Sequence, residues 1–344
     1  MKKLRIAQVS PLRLPVPAEG KGGNERIISY ITEELVKRGH QVTLFASKDS
    51  KTKAKLIPAL DKSLDTVPFS VENFWWNIFS HSFAFEKSSE FDVIHCHWDI
   101  MGALFQRFVK TPVLNTVHYI DSPQKKVWGI FDHYKNDINI AFIAEKQKKN
   151  SPIKFDNCWV VPNGTDISNF KLNLKPKNHF VWAGRITPNK KIKEAILTAK
   201  QAGIELLLAG DIPEEQKDYF EKEIKPELNS KIKYIGELSF KELSNFYGSA
   251  KGCLYPMGLV RLESMACGAP VIVLGKNIKS VESGKTGFVA ENIEQTLDSI
   301  KKIDQINRQD CRKWVKNNFS IEKMVDEYEK IYYEIIKKNH KKTT

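Results

Sequence analysis

Residues 254–289 read LYPMGLVRLESMACGAPVIVLGKNIKSVESGKTGFV, and the architecture of the chain follows from them. Leu254-Tyr255 closes an apolar run and falls at the carboxyl end of a strand. Gly258 allows a sharp turn, with no Cβ in the way. Leu259 to Cys267 carries small and apolar residues at helical spacing, with Glu263 in its first turns. Gly268 stops that helix, and Ala269 to Val273 is a short buried strand. A glycine turn that feeds a helix start suits an anion and a ribose, because the first helical N–H groups are unpaired and point outward. A carboxylate one turn in would accept hydrogen bonds from a sugar diol. An ordinary strand-turn-helix of an α/β domain reads the same way, and spacing alone leaves both readings open.

Upstream, the same strand-loop-helix rhythm repeats. Leu4 to Val9 is a first buried strand, Pro11 to Gly23 a Pro/Gly-rich loop, and Asn24 to Arg38 a helix with Asn24 as its N-cap. Val42 to Ala46 is the next strand. Gly22-Gly23 at the helix start is not G-x-G-x-x-G, and no acidic residue follows Ala46. A dinucleotide site is therefore disfavoured. Phe91 to Trp98 and Pro112 to His118 are strands with polar ends. In open α/β sheets ligands sit beyond such ends, which places His95, His97 and His118 where site residues belong. His95 also reads as a core histidine. The three lack the spacing and the fourth ligand of a zinc site. The aromatic run Phe74 to Phe79 reads as core packing of a helix, or alternatively as a membrane- or acceptor-facing surface.

Cys158 to Val161 leads into Pro162-Asn163-Gly164-Thr165-Asp166, and the polar stretch Lys171 to Asn178 reads as a linker. Phe180 to Lys191, FVWAGRITPNKK, is a strand, a glycine, then Arg185 and Lys190 near a helix start. That is chemistry for a diphosphate: a planar fork, a point charge and a helix end. Leu206 to Asp211 and Ile232 to Glu237 are further strand ends. Gly284-Lys285-Thr286 is no Walker A loop, because Lys279 stands where the first glycine is needed. Phe319 to Ile336 is an amphipathic helix, followed by a solvated basic tail.

Composition sets outer limits. The chain has 344 residues, 41% hydrophobic, long enough for two domains. The formal net charge is +13, spread over both halves. That favours an anionic ligand and anionic surfaces over one nucleic-acid domain. Five scattered cysteines fit a reducing compartment. No apolar run has transmembrane length, and Leu4 to Val9 is too short for a signal-peptide core. The expectation is a cytoplasmic protein, with the basic tail and the aromatic run as a candidate contact with an anionic membrane.

Gly258 to Ile272 resembles the signature segment of glycosyltransferase family 4, the retaining nucleotide-sugar enzymes of GT-B fold. There the segment runs E-P-F-G-L-V-x-x-E-A-M-A-C-G-T-P-V-I. The G-G-x-E-R loop, the T-x-H strand end, N-G-I-D and G-R-x-x-x-x-K-G are matched in order by Gly22 to Arg26, Thr116 to His118, Asn163 to Asp166 and Gly184 to Lys191. Lys191 takes the place of the last glycine. The resemblance implies an α/β protein of two Rossmann-like domains facing across a cleft, residues 1–165 and 166–319, with a helix near 320–336 packing back on the first. It implies transfer of a sugar from a UDP- or GDP-sugar to a glycan, lipid-linked or small-molecule acceptor, in cell-envelope polysaccharide synthesis, without metal or cofactor and without nucleic acid.

Carried over residue by residue, the resemblance gives each match a role. Arg185 and Lys190 would neutralise the leaving diphosphate. Gly258 and Leu259 would offer backbone N–H groups, and Glu263 would hold the ribose. Gly184 and Asn163 would border the donor, and His118 would touch the transferred sugar. Gly22, Gly23 and Arg26 would border the acceptor. One departure stands out. The family places an acidic residue three positions ahead of Gly258, and here that position is Tyr255, in a shortened loop. A phenol carries no negative charge at neutral pH. The departure raises an alternative, a chain that binds nucleotide or glycan with little catalysis, unless another acid such as Asp211 or Glu282 has taken the role.

Overall fold

The computed structural model describes residues 2–18, 22–64, 71–118, 125–276 and 278–343. The chain forms two compact units. One holds residues 2–18, 22–163 and 321–343, and the other Gly164–Ser320.

The first unit is built on a seven-stranded parallel sheet: β1 Arg5–Val9, β2 Gln41–Ala46, β3 Lys55–Pro58, β4 Val93–Cys96, β5 Val113–Val117, β6 Asn139–Phe142 and β7 Asn157–Val160. Their order is β3-β2-β1-β4-β5-β6-β7. β1 pairs with both β2 and β4, so the winding reverses between β1 and β4. β4 and β5 are buried along their whole length, as expected of parallel strands covered on both faces. β3 escapes the sequence pattern because it is an edge strand with exposed ends and a terminal proline.

Helix α1, Gly23–Lys37, follows β1. Its N-cap is Gly22 at φ 98°, not the expected Asn24. A Cβ on Gly22 would lie 2.5 Å from that of Ala18, so only glycine fits the turn and the helix begins one residue earlier. Helix α2, Val71–Glu86, corrects the core reading of the aromatic run. Its buried residues include Asn73, Asn77, Ser80 and His81, while Phe74, Trp75 and Phe79 are 44%, 62% and 50% exposed. The physical reason lies in the loop after β1. The Leu12 N–H donates to Asn77 Oδ1 at 2.9 Å, and Asn77 Nδ2 donates to the Asn73 carbonyl at 2.7 Å. Buried backbone needs partners, and α2 turns its polar side inward to supply them.

The helix Ile321–Thr343 belongs to this unit. Met324, Val325, Tyr328, Ile331, Tyr332 and Ile335 are buried on one face. Its acids meet the end of α1: Arg38 pairs with Glu329 and with Asp326, and His40 Nε2 lies 2.7 Å from Glu329 Oε1.

The second unit has a six-stranded parallel sheet: β8 His179–Ala183, β9 Glu205–Ala209, β10 Ile232–Tyr234, β11 Gly252–Leu254, β12 Val271–Leu274 and β13 Gly287–Ala290. Their order is β10-β9-β8-β11-β12-β13, the same winding with the reversal between β8 and β11. Helix α3, Ile192–Ala202, buries Ile192, Ala195, Ile196 and Ala199, spaced as one apolar stripe. They join Phe180, Trp182, Leu206, Leu208, Leu254 and Ile272 in the core. β13 was not visible in the sequence because it opens on a glycine. A Cβ on Gly287 would sit 2.0 Å from the Val271 carbonyl.

The linker expected at Lys171 to Asn178 is instead part of this unit. The Asn173 N–H donates to the Cys267 carbonyl at 3.1 Å and Lys177 N–H to Ser249 at 2.8 Å. Arg308 Nε donates to the Asn173 carbonyl at 2.6 Å. The side chains are polar, but the backbone is fastened.

Candidate functional site

In a doubly wound sheet the ligand crevice opens where the winding reverses, beyond the carboxyl ends of the strands. In the second unit those ends are β8 and β11. β8 runs into Gly184, whose N–H donates to the Ala209 carbonyl at 3.1 Å, and the Ile186 N–H donates to the Asp211 carbonyl at 2.9 Å. A Cβ on Gly210 would fall 1.8 Å from the Gly184 carbonyl. The two backbones touch, and this sets Arg185 beside Asp211, Nε to Oδ2 3.2 Å. A short turn, Pro188–Lys190, follows, and Trp182 Nε1 donates to the Lys190 carbonyl at 3.2 Å. Lys191 then takes φ 63°. A left-handed residue at this point explains why the family's pattern has glycine there.

β11 ends at Leu254, and four residues connect it to α4, Leu259–Ala266. Gly258 turns the chain at φ 58°, ψ −132°. Leu259 and Glu263 are both buried, Glu263 to 1% exposure. Arg261 braces the connection from inside: Nη2 donates to the Pro256 carbonyl at 3.3 Å and Nη1 to Ser280 Oγ at 2.6 Å. Burial pulls its pKa down to about 10, so it stays charged at neutral pH. Nothing in the sequence pattern points to this role, since the family pattern leaves that position open.

Tyr255 follows directly on β11, as the apolar run predicts, and its side chain turns into the core. It is 2% exposed, at φ 50°, with its ring in the core of the second unit. Its hydroxyl lies 2.9 Å from Thr198 Oγ1 and 3.0 Å from Thr296 Oγ1. The positive φ turns the side chain inward, and the two threonines satisfy the phenol. Tyr255 is a core residue, and no sugar contact is available to it. Of the acids considered as substitutes, Asp211 is paired with Arg185, and Glu282 pairs with Lys285 at 3.2 Å.

In the first unit the strand ends β1, β4 and β5 bring together a buried polar chain. His97 Nε2 lies 2.6 Å from Gln8 Oε1, and His97 Nδ1 lies 3.2 Å from His118 Nε2. Gln8 Nε2 donates to the Tyr332 hydroxyl at 3.1 Å. His95 Nδ1 is 2.7 Å from that hydroxyl, and its Nε2 is 2.7 Å from Thr116 Oγ1. His95 is thus a satisfied core histidine. His118 Nδ1 is buried with no hydrogen-bond partner among the described residues. Burial pulls the His118 pKa down to about 4, and those of His95 and His97 fall well below the usual histidine value for the same reason. All three are neutral at pH 7. Gln8 and Tyr332 were missed by sequence reasoning. The available signal was a glutamine in the middle of the apolar strand IAQV.

Gly22, Gly23 and Arg26 lie at the start of α1, with the Arg26 N–H donating to the Gly22 carbonyl at 3.2 Å. Lys21, just ahead of the motif, lies outside the described residues. Asn163 follows β7 and leaves its Oδ1 buried with no hydrogen-bond partner among the described residues. The site residues therefore form local clusters: Gly184, Arg185 and Lys190 after β8, Gly258, Leu259 and Glu263 on and before α4, and His118 with its hydrogen-bonded neighbours.

Two sheets wound in this order are those of the GT-B fold. The family model described as Glycosyltransferase Family 4 matches residues 21–169, and the one described as Glycosyl transferases group 1 matches residues 177–305. The chain belongs to this family and is a glycosyltransferase. It is 24% identical over 300 residues to a probable sucrose-phosphate synthase of Thermosipho melanesiensis, covering 71% of this chain and 70% of that protein. It is 24% identical over 170 residues to the O-antigen chain mannosyltransferase RfbU of Salmonella typhimurium, covering 45% and 48%. Among solved structures, sucrose-phosphate synthase from Thermosynechococcus elongatus superposes with a TM-score of 0.77 at 19% identity, over 97% of this chain and 99% of that one. These likenesses lend no support to a chain that binds without catalysing.

Proposed function

We propose that the protein transfers a sugar from a UDP- or GDP-sugar, with retention of configuration, to a glycan or lipid-linked acceptor of the cell envelope. The observation that carries this is the pairing of β8 and β11 at the reversal of the second sheet. One strand end delivers Arg185 and the turn to Lys190, and the other delivers Gly258 and the start of α4. Negative charge develops on the leaving diphosphate, and preorganised donors act most strongly where charge develops. In this reading Arg185 and Lys190 carry that charge without a metal ion. The first N–H groups of α4 add to it, and Glu263 accepts from the ribose. His118 contacts the sugar, Gly184 and Asn163 border the donor, and Gly22, Gly23 and Arg26 border the acceptor.

The envelope acceptor is supported by the O-antigen relative. A lipid-linked acceptor is supported by the exposed aromatic side of α2. Among the described residues no helix is long and apolar enough to cross a membrane, and the membrane contact proposed here is peripheral. The test is a thermal-shift panel of UDP, GDP and their sugars, since only a ligand held by the native site raises the melting point. The selected donor is then turned over with EDTA present, and the product anomer is read by NMR. An inverted product, or activity abolished by EDTA and restored by a divalent metal, would overturn the proposal.

A further inference from the structure

We propose that Gln8, His97 and Tyr332 are positioning residues that fix which nitrogen of His118 carries the proton. His118 then presents a bare Nδ1 and reads a sugar hydroxyl that donates to it. The inference rests on the reading that His118 contacts the transferred sugar.

The argument follows the protons. Neutral imidazole has one N–H and one lone pair. Gln8 Nε2 donates to the Tyr332 hydroxyl, so Gln8 Oε1 faces His97 Nε2 as an acceptor. His97 must therefore carry its proton on Nε2, and its Nδ1 becomes an acceptor. The atom opposite, at 3.2 Å, is His118 Nε2, which must then be the N–H. His118 Nδ1 is left as a lone pair. The same ordering runs the other way from Gln8. The Tyr332 hydroxyl, having accepted from Gln8, donates to His95 Nδ1. His95 Nε2–H donates to Thr116, whose hydroxyl donates to Tyr328 at 3.2 Å. Each group in the chain has one consistent role.

Turning the Gln8 amide over would reverse every bond and leave His118 with Nδ1–H. The two orderings differ in what remains at the open end. The reversed one leaves a buried N–H with no partner, and the present one leaves a buried acceptor. Orphaned buried donors are the rarer case in folded proteins. The burial that keeps all three histidines neutral also prevents a second proton from erasing the distinction. A donor sugar whose hydroxyl supplies the missing hydrogen satisfies the last atom of the chain. A sugar that presents an acceptor there meets lone pair against lone pair. The helix that carries Tyr332 thus sets the chemistry of a side chain on β5's end.

The experiment is long-range nitrogen-15 NMR on the full chain labelled at histidine. His118 is expected as the Nε2–H form, and Gln8→Met, of similar volume, is expected to mix the two forms. With whichever of UDP-glucose, UDP-N-acetylglucosamine and GDP-mannose the protein turns over, Gln8→Met should lower kcat on the order of tenfold, the scale of one hydrogen bond. Binding of the corresponding nucleoside diphosphate should not change. If His118 in the unmodified protein carries its proton on Nδ1, the proposal is overturned, even where Gln8→Met does not fold. It is equally overturned if the His118 form is the same in both proteins. If His118→Ala leaves turnover intact while Gln8→Met still mixes the forms, the ordering stands and the assignment of His118 to the sugar is what fails.

Discussion

Arg185 Nε lies 3.2 Å from Asp211 Oδ2, so the guanidinium proposed to meet a diphosphate is charge-compensated before any ligand arrives. A diphosphate must share it with, or take it from, a carboxylate on the next strand end. Arg185→Ala or Lys190→Ala should weaken binding of the preferred nucleoside diphosphate by roughly 1.5–3 kcal/mol, the range for hydrogen bonds to charged groups. Asp211→Asn should tighten it, by less than about 1 kcal/mol because the pair is partly exposed. Isothermal calorimetry measures all three. Unchanged affinity in both alanine variants removes the clamp.

Glu263 sits in α4 almost fully buried, and Glu263→Gln keeps its shape while removing its charge. If it holds the ribose, nucleotide affinity should fall by about 1–2 kcal/mol, as a charge-assisted bond becomes a neutral one, with little change in melting temperature. A large loss of stability with normal binding would make Glu263 a structural residue.

Tyr255→Phe removes the hydroxyl shared by Thr198 and Thr296; Thr296 still donates to the Asn292 carbonyl at 3.0 Å, while Thr198 loses its contact at 2.9 Å. We expect a loss of about 1–2 kcal/mol in urea unfolding and no change in turnover. A selective loss of sugar transfer at unchanged stability would return Tyr255 to the sugar subsite.

The buried histidines make the fold acid-sensitive. His81 and His118 are both pulled down to about 4 by burial, below their unfolded value near 6.5. Between those two values the unfolded chain binds protons that the folded chain refuses. Stability is therefore full above about pH 6.5 and falls as pH drops towards 4, by roughly 1.4 kcal/mol per pH unit for each such histidine. Urea midpoints across this window test it. A flat profile would show that the histidines titrate normally.

The net charge of +13, the basic tail and the aromatic side of α2 together predict binding to phosphatidylglycerol vesicles at low salt, weakening as salt rises, because exposed charges are screened. Trp75→Ala and Phe74→Ala should reduce it further, since interfacial aromatics anchor at the headgroup level. No sedimentation with vesicles at low salt would point to a soluble acceptor.

The sequence was most legible where a residue's role depends on its near neighbours. β8 and β12 are continuous apolar runs, and Gly184-Arg185 and Gly258-Leu259 follow strand ends in a spacing that survives any detail of packing. It was least legible where the role depends on what the residue meets across the fold. Tyr255 was read against an aligned letter, but its φ and two threonines far apart in sequence send it to the core. The aromatics of α2 looked like core because they are apolar. The needs of the Leu12 backbone, met by Asn77, turn the helix the other way. Gln8 and Tyr332 are 324 positions apart, beyond any local pattern.

The first unit is interrupted: residues 2–163 lack their closing helix until 321–343 arrive. On the ribosome, the whole of Gly164–Ser320 is made in between, on the order of ten seconds at common rates of synthesis. During that interval Gln8 and His95 wait for the Tyr332 hydroxyl, and Arg38 and His40 wait for Glu329. The order in which the units become complete therefore reverses their order along the chain. A released chain truncated short of residue 332 keeps every described residue of the second unit and leaves the hydrogen bonds of Gln8 and His95 to Tyr332 unmade.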